Sequence, residues 1–98
     1  MRIVWDVVAS ADIIGIWRYI RHDDDRPIAA SDVFARIQNG VEILAQTPEI
    51  GRRGKLPRTR ELVLADLPYI AIYRIDQRRK IVVIMRIIHT AQEWPPKS

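Results

Sequence analysis

Lys80–Pro95, KIVVIMRIIHTAQEWP, is the stretch on whose reading the fold turns. From Ile81 to Ile88 every residue is apolar except Arg86, the pattern of a strand covered on both faces. The character then changes within a few residues, to His89, Thr90, Gln92, Glu93 and Trp94. A guanidinium inside a core strand and a crowded polar end both require partners from elsewhere in the chain.

Immediately upstream, Tyr69–Ile75 and Arg60–Leu64 are two further β-prone runs. The segments between the three runs, Ala65–Pro68 and Asp76–Lys80, have hairpin length, so the runs form an antiparallel meander. Earlier still, PEIGRRGKLPRTR (48–60) is turn chemistry, punctuated by Gly51, Gly54 and Pro57. The N-terminal half has a helical period instead. Ile13, Ile16, Trp17 and Ile20 share one face of a helix expected over about Ala9–His22. Ser10 is its expected cap, with Asp12 in the first turn. Asp23, Asp24 and Asp25 are expected to form a connection. Pro27 suits the first turn of a second helix, whose stripe is Ala30, Phe34, Ile37, Val41 and Leu44, closed by Thr47-Pro48. So short a connection implies an antiparallel helical hairpin. Arg2–Trp5 reads as a first strand. The predicted order is β-α-α-β-β-β: an α+β fold in two layers, an antiparallel sheet with the N-terminal helical hairpin packed on one face.

Ninety-eight residues, 48% of them hydrophobic and 29% charged, fit one globular domain over 1–98. No apolar run reaches the roughly 18–20 residues of a membrane-spanning helix, and the first residues lack a secretory core, so a cytoplasmic protein is expected. Without cysteine there are no disulfides and no thiolate metal sites. His22 has no ligand-like neighbour, so no metal and no cofactor are expected. The charge is uneven. Residues 1–49 hold five basic and eight acidic side chains, and residues 50–98 hold eleven basic and four acidic. Such asymmetry suggests a face that meets a polyanion or an acidic partner.

Strand alternation sorts the candidate residues. Ile70, Ile72 and Arg74 share one face of their strand, and Tyr69, Ala71 and Tyr73 the other. In the last strand Ile84, Arg86 and Ile88 are expected together, opposite Met85, Ile87 and His89. Arg86 requires an ion pair, with Glu61 or Asp66 as the expected partner, or an open sheet face. His89 has the intrinsic pKa for proton transfer near neutrality. Arg52, Arg53, Lys55 and Arg58, with Arg78, Arg79 and Lys80, are candidates for tracking a phosphate backbone. Tyr69, Tyr73 and Trp94 offer faces for base stacking.

The N-terminal strand followed by ADIIGIWRYI, PEIGRRGKLPRTRELVL, PYIAIYRI and VVIMRIIHTAQEWP, in that order and spacing, resembles the RelE/ParE superfamily of toxins from bacterial type II toxin–antitoxin systems. The resemblance covers nearly the whole chain. It implies the β-α-α-β-β-β fold and a partner antitoxin whose acidic or amphipathic C-terminal segment wraps the toxin. It also implies one of two mechanisms. RelE-like members cut messenger RNA on the ribosome, whereas ParE-like members poison DNA gyrase and are not nucleases. A relative that only binds its antitoxin is a third possibility. Many RelE-like nucleases carry an arginine where this chain has Ile70. Several relatives, however, place a catalytic histidine where His89 stands.

The expected activity is that of a metal-independent, ribosome-dependent mRNA endonuclease. It needs activation of a 2′-hydroxyl, stabilisation of a charged phosphorane and protonation of the leaving oxygen. His89 is assigned the acid or base role, and Arg60, Arg74 and Arg86 the charge stabilisation. Glu61 is a second candidate base, and Tyr73 is expected to orient a nucleotide.

Overall fold

The computed structural model describes residues 1–23 and 27–97. Its elements are β1 (Arg2–Trp5), α1 (Val7–Asp23), α2 (Pro27–Val41), a 3₁₀ turn (Glu42–Ala45), β2 (Arg52–Arg53), β3 (Arg60–Val63), β4 (Tyr69–Asp76) and β5 (Ile81–His89). The five strands form one sheet in the order β1-β5-β4-β3-β2. β3, β4 and β5 are the expected antiparallel meander. The sheet is mixed, however, not purely antiparallel, because β1 lies parallel to β5, Arg2 facing Ile81 and Trp5 facing Ile84. β5 therefore has a neighbour on each side through its first half. Residues on both of its faces are buried, Ile84 and Ile87 on one and Val83 and Ile88 on the other, which is why it reads as an almost unbroken apolar run.

α1 begins two residues earlier than the periodicity indicated. The Ser10 N–H donates to the Asp6 carbonyl at 2.9 Å, so Ser10 lies inside the helix and does not cap it. Asp12 consequently sits beyond the first turn. Of the acidic triplet, Asp23 is the last residue of α1, and Asp24 and Asp25 lie outside the described residues. α2 ends at Val41, short of Thr47-Pro48, and tightens into the 3₁₀ turn that carries Leu44 inward.

The core lies between the helices and one sheet face. Ala9 and Ile13 of α1, Ile37 and Val41 of α2, and Leu44 meet Ala71, Tyr73, Val82, Ile84 and Ile87. Burial of these residues against the sheet stabilises helices that would be marginal alone.

One irregularity changes which β5 residues share a face. Tyr73 pairs with Ile84 but Ile72 pairs with Arg86, so Met85 is an extra residue, a β-bulge. Ile84, expected with Arg86 and Ile88, joins Ile87 and His89 on the helix-covered face. Arg86 and Ile88 follow Val83 on the other, with Ile72 opposite Arg86. That second face is also largely apolar: Ile72, Val83 and Ile88 are all buried. The segment after β5 folds back toward the β2–β3 connection. Trp94 lies with its ring 5.4 Å from the Arg86 guanidinium, and its carbonyl accepts a bond from Lys55 Nζ at 3.1 Å.

Candidate functional site

Beyond Ile84, β5 runs past the end of β1, and α1 lies along it in place of a strand. Asp12 makes the junction. Its Oδ2 accepts the Ile87 backbone N–H at 2.9 Å and the Arg86 Nε at 2.8 Å, while Oδ1 accepts Arg86 Nη2 at 3.2 Å. One carboxylate thus satisfies a backbone donor on the exposed strand side and clamps a guanidinium bidentately. Asp12, not Glu61 or Asp66, is the partner of Arg86. The bond from Asp12 holds the guanidinium more firmly protonated, outweighing partial desolvation. Sequence reading placed Asp12 only as a helix-end charge. The available signal was that Arg86 needed an acid, with Asp12 on a helix face next to Ile13 and Ile16.

His89 closes β5 and is exposed. Its Nδ1 accepts the Ala91 N–H at 3.0 Å, which leaves Nε2 as the outward nitrogen. Tyr69, its cross-strand partner, stands edge-on to the imidazole at 88° with ring centroids 5.5 Å apart. Burial, and secondarily the neighbouring Tyr19 hydroxyl, push the Tyr69 hydroxyl above its ordinary pKa. Asp12, Tyr19, Tyr69, Arg86, His89 and Gln92 line a cleft of about 490 Å³ between α1 and the end of the sheet. Of the six residues assigned chemistry from the sequence, this cleft brings together His89 and Arg86 alone.

The other four are dispersed. Tyr73 is fully buried, and its hydroxyl accepts the Gly51 N–H at 2.9 Å and donates to the Pro48 carbonyl at 2.7 Å. That position corrects its assignment as a nucleotide-orienting group, since neither its ring nor its hydroxyl reaches solvent. Burial raises the Tyr73 hydroxyl pKa, against the smaller opposing pulls of the Gly51 bond and the Arg60 charge. Gly51 must lack a side chain here: a Cβ would lie 2.5 Å from the Tyr73 hydroxyl and 2.8 Å from the Glu61 carbonyl. Arg60 spends its Nη1 on the carbonyls of Gly51 at 2.8 Å and Glu49 at 3.3 Å. Directly opposite on β2 is a like charge, Arg53.

Glu61 is buried and bound through Oε1 to Arg52, at 3.0 Å from Nε and 2.9 Å from Nη2. The two face each other across β2 and β3, a pairing that makes Glu61 a structural anion and occupies Arg52. Arg74 lies exposed on β4, 4.0 Å from Asp76. Asp76 also accepts the Arg79 backbone N–H at 3.0 Å. Arg53, Lys55, Arg58 and Arg60 line one cleft of about 570 Å³, and Arg74, Asp76, Arg78 and Arg79 line another of about 590 Å³. Lys80 is exposed in the adjoining turn. Among the described residues no group of three His, Cys, Asp or Glu side chains is placed to hold a metal ion. Nor is any helix among them long and apolar enough to cross a membrane.

Residues 3–94 match the family model described as ParE toxin of type II toxin–antitoxin system, parDE. The candidate toxin Y4kP of Sinorhizobium fredii (strain NBRC 101917 / NGR234) is 46% identical over 94 residues, spanning 96% of this chain and 93% of that protein. Among solved structures, the chromosomal ParDE system of P. aeruginosa superposes with a TM-score of 0.77 at 27% identity, covering 91% of this chain and 95% of that one. The intact RelBE complex of E. coli gives 0.62 at 14% identity, over 94% and 98% of the two chains. The RelBE2 complex of Mycobacterium tuberculosis gives 0.60 at 22%, over 90% and 95%. The latter two establish likeness of fold.

Proposed function

The chain belongs to the ParE toxin family of type II toxin–antitoxin systems, and from that premise we propose that it arrests growth by binding and blocking DNA gyrase, without cutting RNA. The observation that carries this reading is the dispersal of the groups a ribonuclease would need. Arg86 is clamped by Asp12, Glu61 is neutralised by Arg52, Arg60 is spent on two carbonyls, and Tyr73 is buried. A metal-independent cleavage of RNA needs a base, an acid and a phosphorane clamp converging within hydrogen-bond reach of one phosphate. Here Arg86, Arg60 and Glu61 are committed to holding the fold. On this reading the protein is a binding toxin, active in the cytoplasm where gyrase works.

A cognate antitoxin is part of the same proposal. An acidic or amphipathic segment of that protein would lie over the basic second half of the chain and cover its active surface. The ParDE system of P. aeruginosa, whose structure this chain resembles, supports such a partner.

One observation favours a second reading, ribosome-dependent mRNA cleavage. His89 is exposed, with a ring nitrogen facing outward beside Arg86 and Tyr69 in a cleft large enough for a nucleotide. Two assays on the purified chain separate the readings. Gyrase supercoiling of relaxed plasmid is expected to stop, and mRNA in a purified translation system is expected to stay intact. Ribosome-dependent cleavage that disappears with His89→Ala, with supercoiling untouched, would overturn the gyrase reading.

A further inference from the structure

The sheet topology gathers cations at the end opposite His89. β3 starts there at Arg60, β4 finishes there at Asp76, and β1 and β5 start there at Arg2 and Ile81. The two clefts at this end are lined by seven cationic side chains and by one carboxylate, Asp76. They lie against opposite faces of β4, since Ile75 lines the first and its neighbours Arg74 and Asp76 line the second. Arg58 and Lys80 hold left-handed backbone, with φ of 59° and 58°. Glycine costs less in that conformation, and Asp66 shares it at 61°, so the backbone does not by itself select a cation there.

We propose that this basic end of the sheet binds the phosphate backbone of double-stranded DNA, independently of base sequence. The composition of the clefts selects that ligand. No aromatic side chain lines either one, so unstacked bases have no platform there, and a single strand would gain little beyond charge. Guanidinium and ammonium groups on two sides of a hairpin end suit phosphates, which contribute affinity but carry no sequence information. An acidic peptide would satisfy the same charges. A duplex adds a regular, denser row of anions, one per roughly 1.7 Å of helix axis. The choice of DNA over another duplex rests on the gyrase reading, under which the toxin works beside the DNA that gyrase holds. The backbone contact itself does not require that reading.

The test is fluorescence anisotropy of labelled 20-base-pair duplexes of two unrelated sequences, with the purified chain and no gyrase, over a salt series. Equal affinity for the two is expected. With about four phosphates engaged, binding should weaken about 10²-fold between 50 and 200 mM salt. Arg78→Glu/Arg79→Glu is expected to weaken binding more than tenfold and to lower the salt slope by about two. Arg18→Glu/Arg36→Glu, on the helices, makes the same charge change and should leave the slope unaltered. Thermal unfolding of each variant checks that the fold is intact. Equal loss with the helix variant would overturn the proposal. So would tighter binding of a poly-glutamate peptide, of the same sequence as a single strand, or of an RNA duplex. Supercoiling assays run separately, so a chain that binds duplex but spares gyrase sinks only the gyrase reading.

Discussion

Two regions of the central sheet, one around Tyr73 and one around His89, hold similar side chains and use them in opposite ways. Around Tyr73, hydroxyl, guanidinium and carboxylate are all consumed internally: Tyr73 by Gly51 and Pro48, Arg60 by two carbonyls, Glu61 by Arg52. Around His89 one pair, Asp12–Arg86, is internal, while His89 stays exposed next to a cleft. A list of polar residues in a fold therefore does not identify an active site. What distinguishes the two regions is whether each donor and acceptor already has a protein partner, and burial decides that more than residue type does.

The contrast breaks most visibly at Tyr73. Tyr73→Ala removes a fully buried ring and leaves the Gly51 N–H and the Pro48 carbonyl without their partner. Loss of about 3–5 kcal/mol is expected from the cavity alone, measurable as a drop in the urea midpoint, and failure to fold is the extreme of the same effect. An exposed, nucleotide-contacting tyrosine would instead tolerate alanine within about 0.5 kcal/mol.

Asp12→Ala comes next. It strands a guanidinium and the Ile87 N–H together, at a site where the Arg86 and Asp12 side chains keep 26% and 16% of their exposure. Breaking a fully buried pair costs roughly 3–5 kcal/mol, and partial solvation brings the expectation to about 2–3 kcal/mol. Double substitution with Arg86→Met should recover part of that loss, because it removes the stranded charge. A single-mutant cost no larger than that of Asp32→Ala, an exposed acid on α2, would show that the clamp contributes nothing.

The order of elements was legible in the sequence because its signals are local. Ile13, Ile16 and Trp17 repeat at helical spacing, and the run from Ile81 to Ile88 has the length of one strand. The partnerships were not legible, for physical reasons. Asp12 and Arg86 lie 74 residues apart, and no periodicity reports which distant acid a buried arginine meets. A bulge leaves an apolar run apolar, so the extra residue at Met85 could not be seen, and the face of Ile84 was assigned wrongly. β2 has two residues, below the length at which alternation can register. β1 was found, but its parallel pairing with β5 is a non-local choice. Of the candidate site, Arg86 and His89 are expected on opposite faces of their strand yet line one cleft in the structure, while Tyr73 could not be placed inside or outside because strand alternation does not say which face the helices cover.

A smaller effect sharpens the comparison through pH. The Tyr73 hydroxyl has its pKa raised above 10.0 in the fold, chiefly by burial. Below pH 10 both folded and unfolded chains hold that proton, and the contribution to stability is complete. As pH rises beyond 10 the unfolded chain releases the proton first, so stability falls until the folded value is passed. Tyr73→Phe is expected to lose about 1–2 kcal/mol at neutral pH through its two hydrogen bonds. It should also lose less than the unmodified chain between about pH 9 and pH 11, Tyr69 supplying part of the remaining slope. Parallel stability curves for the two proteins would show that Tyr73 does not titrate with unfolding.

The least effect is expected where the open end is most open. His89→Ala deletes an exposed imidazole whose intramolecular contacts are the Ala91 N–H and the edge of Tyr69. Its cost should stay within about 0.5 kcal/mol, the range of surface substitutions. That near-silence makes the position informative, because any change in function cannot be charged to unfolding. Under the gyrase proposal supercoiling inhibition survives the substitution within about twofold. A loss of activity exceeding about 10²-fold, with the melting temperature unmoved, is the scale that removing a general acid or base produces. It would transfer the chemistry to the His89 cleft and leave the occupied groups around Tyr73 as its scaffold.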